Sequence, residues 1–306
     1  MKNNLFLGVD TSCYTTSLSV VDSKGNIILN KRRILKVKKG KQGLRQSEAF
    51  FQHVSNLSSL YSEIASNVDI RDIKAISVSS KPRNLEESYM PVFLSGLYFA
   101  RNIGNSLNIP VKELSHQEGH IMASISSSTF ELYENKKFYL FHLSGGTTEL
   151  LECEYKKGRF ESKIIGGTLD ISAGKLIDRI GVKMGFSFPC GKEMDELSYI
   201  SNTKKLYPIS IKGNYFNLSG IESHGLKNIG IIKNEDNAKS LIMSFTKTIY
   251  EIIKKLDDDK DILISGGVSA NKYLRNELNN SFSNVYFGSV ELSTDNSVGI
   301  ALLGME

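Results

Sequence analysis

Leu5 to Val9 is an unbroken apolar run, and Thr16 to Val21 is rich in strand formers. Asn26 to Leu29 resumes after the turn Asp22-Ser-Lys-Gly25, so the chain opens as a strand, a hairpin and a third strand. Lys36 to Gln42 reads as a basic, glycine-containing loop, and Ser47 to Ala65 has helical periodicity. Ala75 to Val78 is expected as a buried strand, Val92 to Ile103 as a helix, and Val111 to Leu114 as a short strand leading into a helix.

The second half repeats that order. Phe138 to Leu143 is an apolar strand, Gly145-Gly-Thr-Thr148 a tight turn, Glu149 to Tyr155 a return strand, and Phe160 to Ile165 runs on after Lys156-Lys-Gly158. Helical stretches follow at Ile171 to Met184 and Ala238 to Leu256. Asp261 to Ser265 is another buried strand, Gly266-Gly-Val-Ser-Ala-Asn271 a glycine turn opening a helix, and Val285 to Phe287 a last short strand. This repetition implies a duplicated mixed α/β unit, with the cleft between the copies as the expected ligand site. The boundary is expected near residue 112, giving lobes 1–112 and 113–306, with a final helix at about 295–304.

With 40% hydrophobic and 23% charged residues in 306, the chain has the composition of an ordinary soluble protein. A formal charge of +5 permits an anionic partner such as RNA without requiring one. Cys13, Cys153 and Cys190 are far apart and odd in number, which disfavours a disulfide framework or a cysteine zinc site and fits a reducing cytoplasm. The apolar run before Asp10 is too short for a signal peptide, and no later stretch is expected to span a bilayer. Asp257-Asp-Asp259 is expected as a solvated loop.

The sharpest chemical feature is Glu113-Leu-Ser-His-Gln-Glu-Gly-His120. On a helix, His116 and His120 share one face, close enough to hold one metal ion; two partly exposed helix histidines are the plainer reading. Glu118 lies about 200° around the helix from His116, so it does not serve as the base of a protease site of the H-E-x-x-H type. Polar turns follow apolar strands at Asp10-Thr-Ser-Cys13, Ser144-Gly-Gly-Thr-Thr148 and Ser265-Gly-Gly-Val-Ser269. Such turns either close tight hairpins or bring amides and hydroxyls to a phosphate, and their recurrence in a duplicated frame favours a nucleotide. Asp295 is open between helix N-cap and carboxylate ligand. Asp170 is open between helix cap and site residue. Asp178 and Asp195 are open between surface charge and ribose contact.

Taken together the motifs resemble the TsaD family of tRNA threonylcarbamoyladenosine transferases, formerly called O-sialoglycoprotein endopeptidases. Gly8-Val-Asp-Thr-Ser-Cys13 is similar to that family's G-I-E-T-S-C, Ser115-His-Gln-Glu-Gly-His120 to N-H-x-E-G-H, and Leu143-Ser-Gly-Gly-Thr-Thr148 to V-S-G-G-H/N-T. Gly167-Thr-Leu-Asp170 with Ala173, Gly174 and Asp178 is similar to T-L-D-D-A-A-G-E-A-F-D, and Gly185-Phe-Ser-Phe-Pro-Cys-Gly191 to G-L-G-Y-P-G-G. Phe216-Asn-Leu-Ser-Gly220, Ser265-Gly-Gly-Val-Ser-Ala-Asn271 and Thr294-Asp-Asn296 complete the series.

The resemblance implies an actin and sugar-kinase-like (ASKHA) fold, two RNase H-like lobes around a nucleotide and metal cleft. It implies one divalent ion, iron or zinc, on His116, His120 and Asp295, with His142 standing where some members supply a tyrosine ligand. Asp178, Gly191, Asp195 and Asn271 match nucleotide contacts, and Ser144, Gly145 and Gly146 the phosphate turn; the polar turns add Asp10, Ser12 and Gly267 as candidates. The nucleotide would be threonylcarbamoyl-AMP, with ATP or AMP as analogue. The reaction implied is threonylcarbamoyl transfer to the exocyclic amine of an adenosine in a tRNA anticodon loop, with Asp170 orienting the acceptor or taking its proton. Partner proteins in a heteromer or dimer are implied, and no membrane. The sequence departs from the family at Tyr14-Thr15, Ile171 and Lys175, and Ser80-Lys-Pro-Arg-Asn-Leu-Glu-Glu-Ser88 replaces a G-P-G-L loop. Those departures keep two other readings open: a divergent carbamoyltransferase with another acceptor, and a non-catalytic nucleotide-binding scaffold.

Overall fold

A computed structural model describes residues 4–37, 44–257 and 259–305, so most of the basic loop expected at Lys36 to Gln42, and Asp258, lie outside the described residues. The chain divides into two units, one of Met1–Glu134, Tyr155–Glu161 and Thr294–Glu306, the other of Asn135–Glu154 and Ser162–Ser293. The first unit thus runs beyond the expected boundary at residue 112. The reason is packing, because the histidine helix and the terminal helix lie against each other and against the first sheet.

In the first unit the apolar runs form β1 (Leu5–Asp10), β2 (Thr15–Asp22), β3 (Ile27–Ile34), β4 (Ile73–Lys81) and β5 (Val111–Ser115), ordered β3-β2-β1-β4-β5. β1 is antiparallel to β2 and parallel to β4, the register a hairpin followed by helical crossovers produces. Helix α1 (Gln46–Ala65) buries Ala49, His53, Leu57, Leu60 and Ile64, a single stripe at helical spacing. That stripe and Leu97 and Ala100 of α2 (Phe93–Leu107) close over Leu7, Val9, Leu18, Val20, Ile76 and Val78 of the sheet.

The second unit repeats the scheme. β6 (Lys137–Leu143), β7 (Thr148–Lys156), β8 (Arg159–Thr168), β11 (Ile262–Ser265) and β12 (Val285–Phe287) are ordered β8-β7-β6-β11-β12, the first sheet's order over again. Beyond β8 the sheet adds β10 (Tyr215–Asn217) and β9 (Ser210–Lys212). Helices α4 (Ala173–Lys183), α5 (Gly191–Ile200), α6 (Ser219–Asn228), α7 (Asn234–Ile253) and α8 (Lys272–Ser281) accompany it. The core includes Phe141, Leu150, Ile180, Met194, Phe245, Ile264 and Leu274.

The terminal helix α10 (Val298–Leu303) falls within the expected 295–304, and a single short turn of helix, α9 (Val290–Ser293), precedes that range. α10 is pressed onto α3 (His116–Ser126) so closely that a Cβ on Gly299 would lie 1.9 Å from the Gly119 carbonyl oxygen. Among the described residues no helix is long and apolar enough to cross a membrane.

Candidate functional site

Helix α3 begins at His116 because Ser115 caps it: its Oγ accepts from the Glu118 amide at 3.3 Å, and Glu118 Oε2 accepts from the Ser115 amide at 2.8 Å. This capping box turns Glu118 back under the helix start, away from the imidazoles. There it is buried and takes both arms of Arg159, Nε and Nη2 each at 3.0 Å. The protease geometry is absent, and the sequence signal for the cap, Ser three residues before Glu, was readable.

His116 and His120 stand on one face, their Nε2 atoms 3.0 Å apart. Asp295 Oδ1 lies 3.5 Å from the first and 3.3 Å from the second, and the three ligand atoms fall within 4.8 Å of one another. An ion about 2.05 Å from tetrahedrally arranged nitrogen and oxygen donors would hold them about 3.3 Å apart, so the separations fit. Asp295 is not a helix cap; Asn296 starts the last helix instead, its Oδ1 accepting from the Val298 amide at 3.0 Å. Oδ2 of Asp295 accepts from the Tyr14 amide at 3.3 Å, which fixes the carboxylate's rotation.

Asp10 and Ser12, expected as substrate contacts, have a different place. Asp10 is fully buried at the end of β1, and its Oδ1 meets His116 Nδ1 at 2.9 Å and accepts from the Ser79 hydroxyl. Ser12 donates to Oδ2 through its hydroxyl at 2.6 Å and its amide at 3.3 Å. Asp10 thus has both oxygens engaged within the protein, and Ser12 is almost wholly buried against it. Burial alone would lower the His116 pKa, but Asp10 and Asp295 overcome it and hold the imidazole near 10. Burial would likewise raise the two acids, yet the imidazoles keep both below the usual carboxylate range. One buried and one partly exposed carboxylate around two imidazoles make a cluster of nitrogen and oxygen donors, which suits a borderline divalent ion.

The remaining candidates lie in the second unit. His142, at the end of β6, meets Ser265 Oγ through Nδ1 at 3.2 Å, the contact of a hydrogen-bonded strand histidine. The turn Ser144–Thr148 is seated on the N-terminus of α4: Ser172 Oγ donates to the Gly145 carbonyl at 2.6 Å, and the Ala173 amide donates to Thr148 Oγ1 at 2.7 Å. The turn at Gly266 abuts the same strand end, since a Cβ on Gly266 would lie 2.4 Å from the Leu143 carbonyl oxygen. Asp195 accepts from Asn271 Nδ2 at 2.7 Å and from the Lys272 amide at 3.2 Å, while Asn271 caps α8 through the Leu274 amide at 2.9 Å. Asp178 accepts from the Cys190 amide at 2.8 Å, just before Gly191. Burial pushes both acids up.

Gly145, Gly146, Gly191 and Gly267 have negative or extended φ, and a Cβ on any of them would meet nothing within 4 Å. Neither backbone conformation nor internal packing requires glycine there, as is also true of Gly220. Gly145, Gly146 and Gly267 follow the carboxyl ends of the parallel neighbours β6 and β11, where open α/β sheets bind ligands.

Asp170 is exposed and does not cap α4, whose N-cap is Ser172. Its carboxylate accepts from the amides of Ile171 (2.6 Å), Leu218 (2.9 Å) and Ser219 (3.0 Å), tying the end of β8 to the start of α6. Burial would raise this acid, but the Ser219 hydroxyl and those amides hold it near 2, so it is a poor proton acceptor. Arg159 was not legible as a functional residue, because a lone arginine in a hairpin carries no signal.

A family model described as tRNA N6-adenosine threonylcarbamoyltransferase matches residues 26–302. A protein of that name from Thermosipho melanesiensis is 28% identical, the alignment covering 98% of this chain and 94% of the relative. One from Mycoplasmopsis synoviae is 28% identical, with 97% and 96% covered. Among solved structures, the activator of 2-hydroxyisocaproyl-CoA dehydratase from Clostridium difficile with bound ADPNP aligns at TM-score 0.55 and 15% identity, over 99% of this chain and 94% of that one. A ROK family glucokinase from Streptomyces griseus, in complex with glucose and AMPPNP, aligns at TM-score 0.53 and 12% identity, over 98% and 99%. These likenesses show the actin and sugar-kinase type of fold, as the repeated strand order does. With the family match running through the histidine helix, the glycine turns and Asp295, the chain belongs to the TsaD family, the tRNA N6-adenosine threonylcarbamoyltransferases.

Proposed function

We propose that the chain transfers the threonylcarbamoyl group from threonylcarbamoyl-AMP to the exocyclic amine of a tRNA anticodon-loop adenosine, using an ion held by His116, His120 and Asp295. Family membership carries threonylcarbamoyl transfer to tRNA. The observation that carries the ion is the convergence of the three ligand atoms within 4.8 Å beside a buried carboxylate.

The donor is a mixed anhydride. The bond from the carbamoyl carbon to the phosphate oxygen breaks, a bond to the adenosine nitrogen forms, AMP departs and the nitrogen loses a proton. Since the leaving group is already good, positioning and electrostatics are the main tasks. An ion bound here, iron or zinc, supplies Lewis acidity toward carbamate and phosphate oxygens. His116, His120 and Asp295 hold it. The amides of Gly145 and Gly146 bind phosphate, Ser144 shapes that turn by donating its own amide to the Thr147 carbonyl at 2.9 Å, Asp178 and Asp195 accept from ribose hydroxyls, and Gly191, Gly267 and Asn271 admit the nucleoside to the backbone. Asp170 braces the acceptor side by fixing the loop before α6. His142 stays a candidate further ligand, and Ser265 on its Nδ1 is the kind of contact that orients a ligating imidazole. Partner proteins fit α1, where Phe51 and Val54 are exposed.

Incubation with threonine, bicarbonate, ATP, the adenylate-forming enzyme, candidate partners and unmodified tRNA, followed by nucleoside analysis, tests this reading. Modified adenosine that vanishes with His120→Ala supports it. Transfer that survives in that variant after metal stripping overturns the ion's role, and carbamoylation of another acceptor overturns the substrate.

A further inference from the structure

We infer that Asp10 is a positioning residue for His116, and that the Ser79 hydroxyl positions Asp10 in turn; the inference rests on the metal reading above. A ligating imidazole must present an unprotonated nitrogen to the ion, and His116 Nε2 is the atom that faces His120 Nε2 and Asp295 Oδ1. The proton must then sit on Nδ1, where Asp10 Oδ1 receives it at 2.9 Å. A carboxylate in that position fixes tautomer and ring rotation together and makes the opposite nitrogen more basic.

Asp10 is itself held from three directions. Ser79 on β4 donates to Oδ1, and Ser12 donates to Oδ2 through hydroxyl and amide. Asp10 ends β1 and Ser79 lies two residues before the end of its parallel neighbour β4, and both are fully buried. A buried acid serving stability alone is ordinarily paired with Lys or Arg. This one faces an imidazole and two serines, an arrangement that costs desolvation and returns orientation.

The test measures the affinity of purified, metal-stripped protein for Co2+ and Zn2+ by chelator competition, with the Co2+ absorption spectrum and the far-ultraviolet circular dichroism of each variant. Asp10→Asn keeps the shape but removes the charge, and is expected to weaken both ions about 10- to 100-fold with the fold intact. Ser79→Ala leaves Asp10 held by Ser12 and His116 without the Ser79 donor, and is expected to weaken them up to about tenfold and to alter the Co2+ spectrum. His116→Ala is the control. If it binds as the unaltered protein does, the metal reading itself fails. If it loses the ions while Asp10→Asn and Ser79→Ala bind them as tightly as before, Asp10 does not position His116. Should Asp10→Asn fail to fold, Ser79→Ala alone decides.

Discussion

Arg159→Ala is expected to destabilise the first unit and loosen the start of the histidine helix. Glu118 has only 2% of its side chain accessible, while Arg159 has 36%. Two charge-assisted bonds of 3.0 Å join them, and the Ser115 amide and hydroxyl supply two further donors to Glu118 at 2.8 and 2.7 Å. Removing one partner of a buried pair costs about 3–5 kcal/mol. Because the guanidinium is partly solvated and Glu118 retains its capping bonds, the low end applies, about 3 kcal/mol. Arg159→Lys keeps the charge without the fork, and should lose about half as much. Urea unfolding, followed by circular dichroism at fixed ionic strength, measures these losses. Glu118→Gln alone and with Arg159→Ala completes a double-mutant cycle, with an expected coupling of about 2 kcal/mol. An Arg159→Ala protein within about 0.5 kcal/mol of the unaltered one, or a cycle that adds without coupling, would show that the pair does not hold the helix start.

Other expectations concern the glycines, an internal histidine and Asp170. Gly146→Ala and Gly191→Ala place a methyl group in open space, so melting should change by about 0.5 kcal/mol or less while calorimetric affinity for ATP or AMP falls about tenfold or more. Gly174→Ala, whose Cβ would lie 2.5 Å from Gly145 Cα, should instead destabilise the second unit by about 2 kcal/mol. His53 is wholly buried, and burial holds its imidazole near 4, below its ordinary value of 6.5. It folds neutral, so its contribution is complete above about pH 6.5 and is lost as pH falls toward 4. The loss at pH 5 is about 2 kcal/mol, and His53→Gln should shrink the difference between pH 7 and pH 5 by that amount. Asp170→Asn should cost about 1–2 kcal/mol through the α6 cap, and the pH–rate profile between pH 5 and 9 should keep its shape.

Much of the frame was legible because its signals are local. Leu5–Asp10 and Lys137–Leu143 are apolar runs with turn residues after them, and His116 and His120 announce one helix face by spacing alone. What escaped is what depends on distant residues. Asp10 ends a strand like a phosphate-turn residue, and only packing brings it to Ser79 and His116, 69 and 106 positions away. Asp170 looked like a cap for the next helix and caps one 48 residues on. Residues 185–233 gave no pattern, since α5 buries only Met194, Asp195 and Ser198, and β9 and β10 are three residues each. The reach of the first unit past residue 112 was hidden for the same reason, because the Gly119–Gly299 crossing that ties α10 to α3 has no local signature.

Metal analysis of the purified protein beside His116→Ala, His120→Ala and Asp295→Ala tests the central claim most directly, because all three ligand atoms lie within 4.8 Å of one another in the first unit. About one ion per chain is predicted in the unaltered protein and a small fraction of that in each variant. Full metal content in any of the three variants would contradict the account.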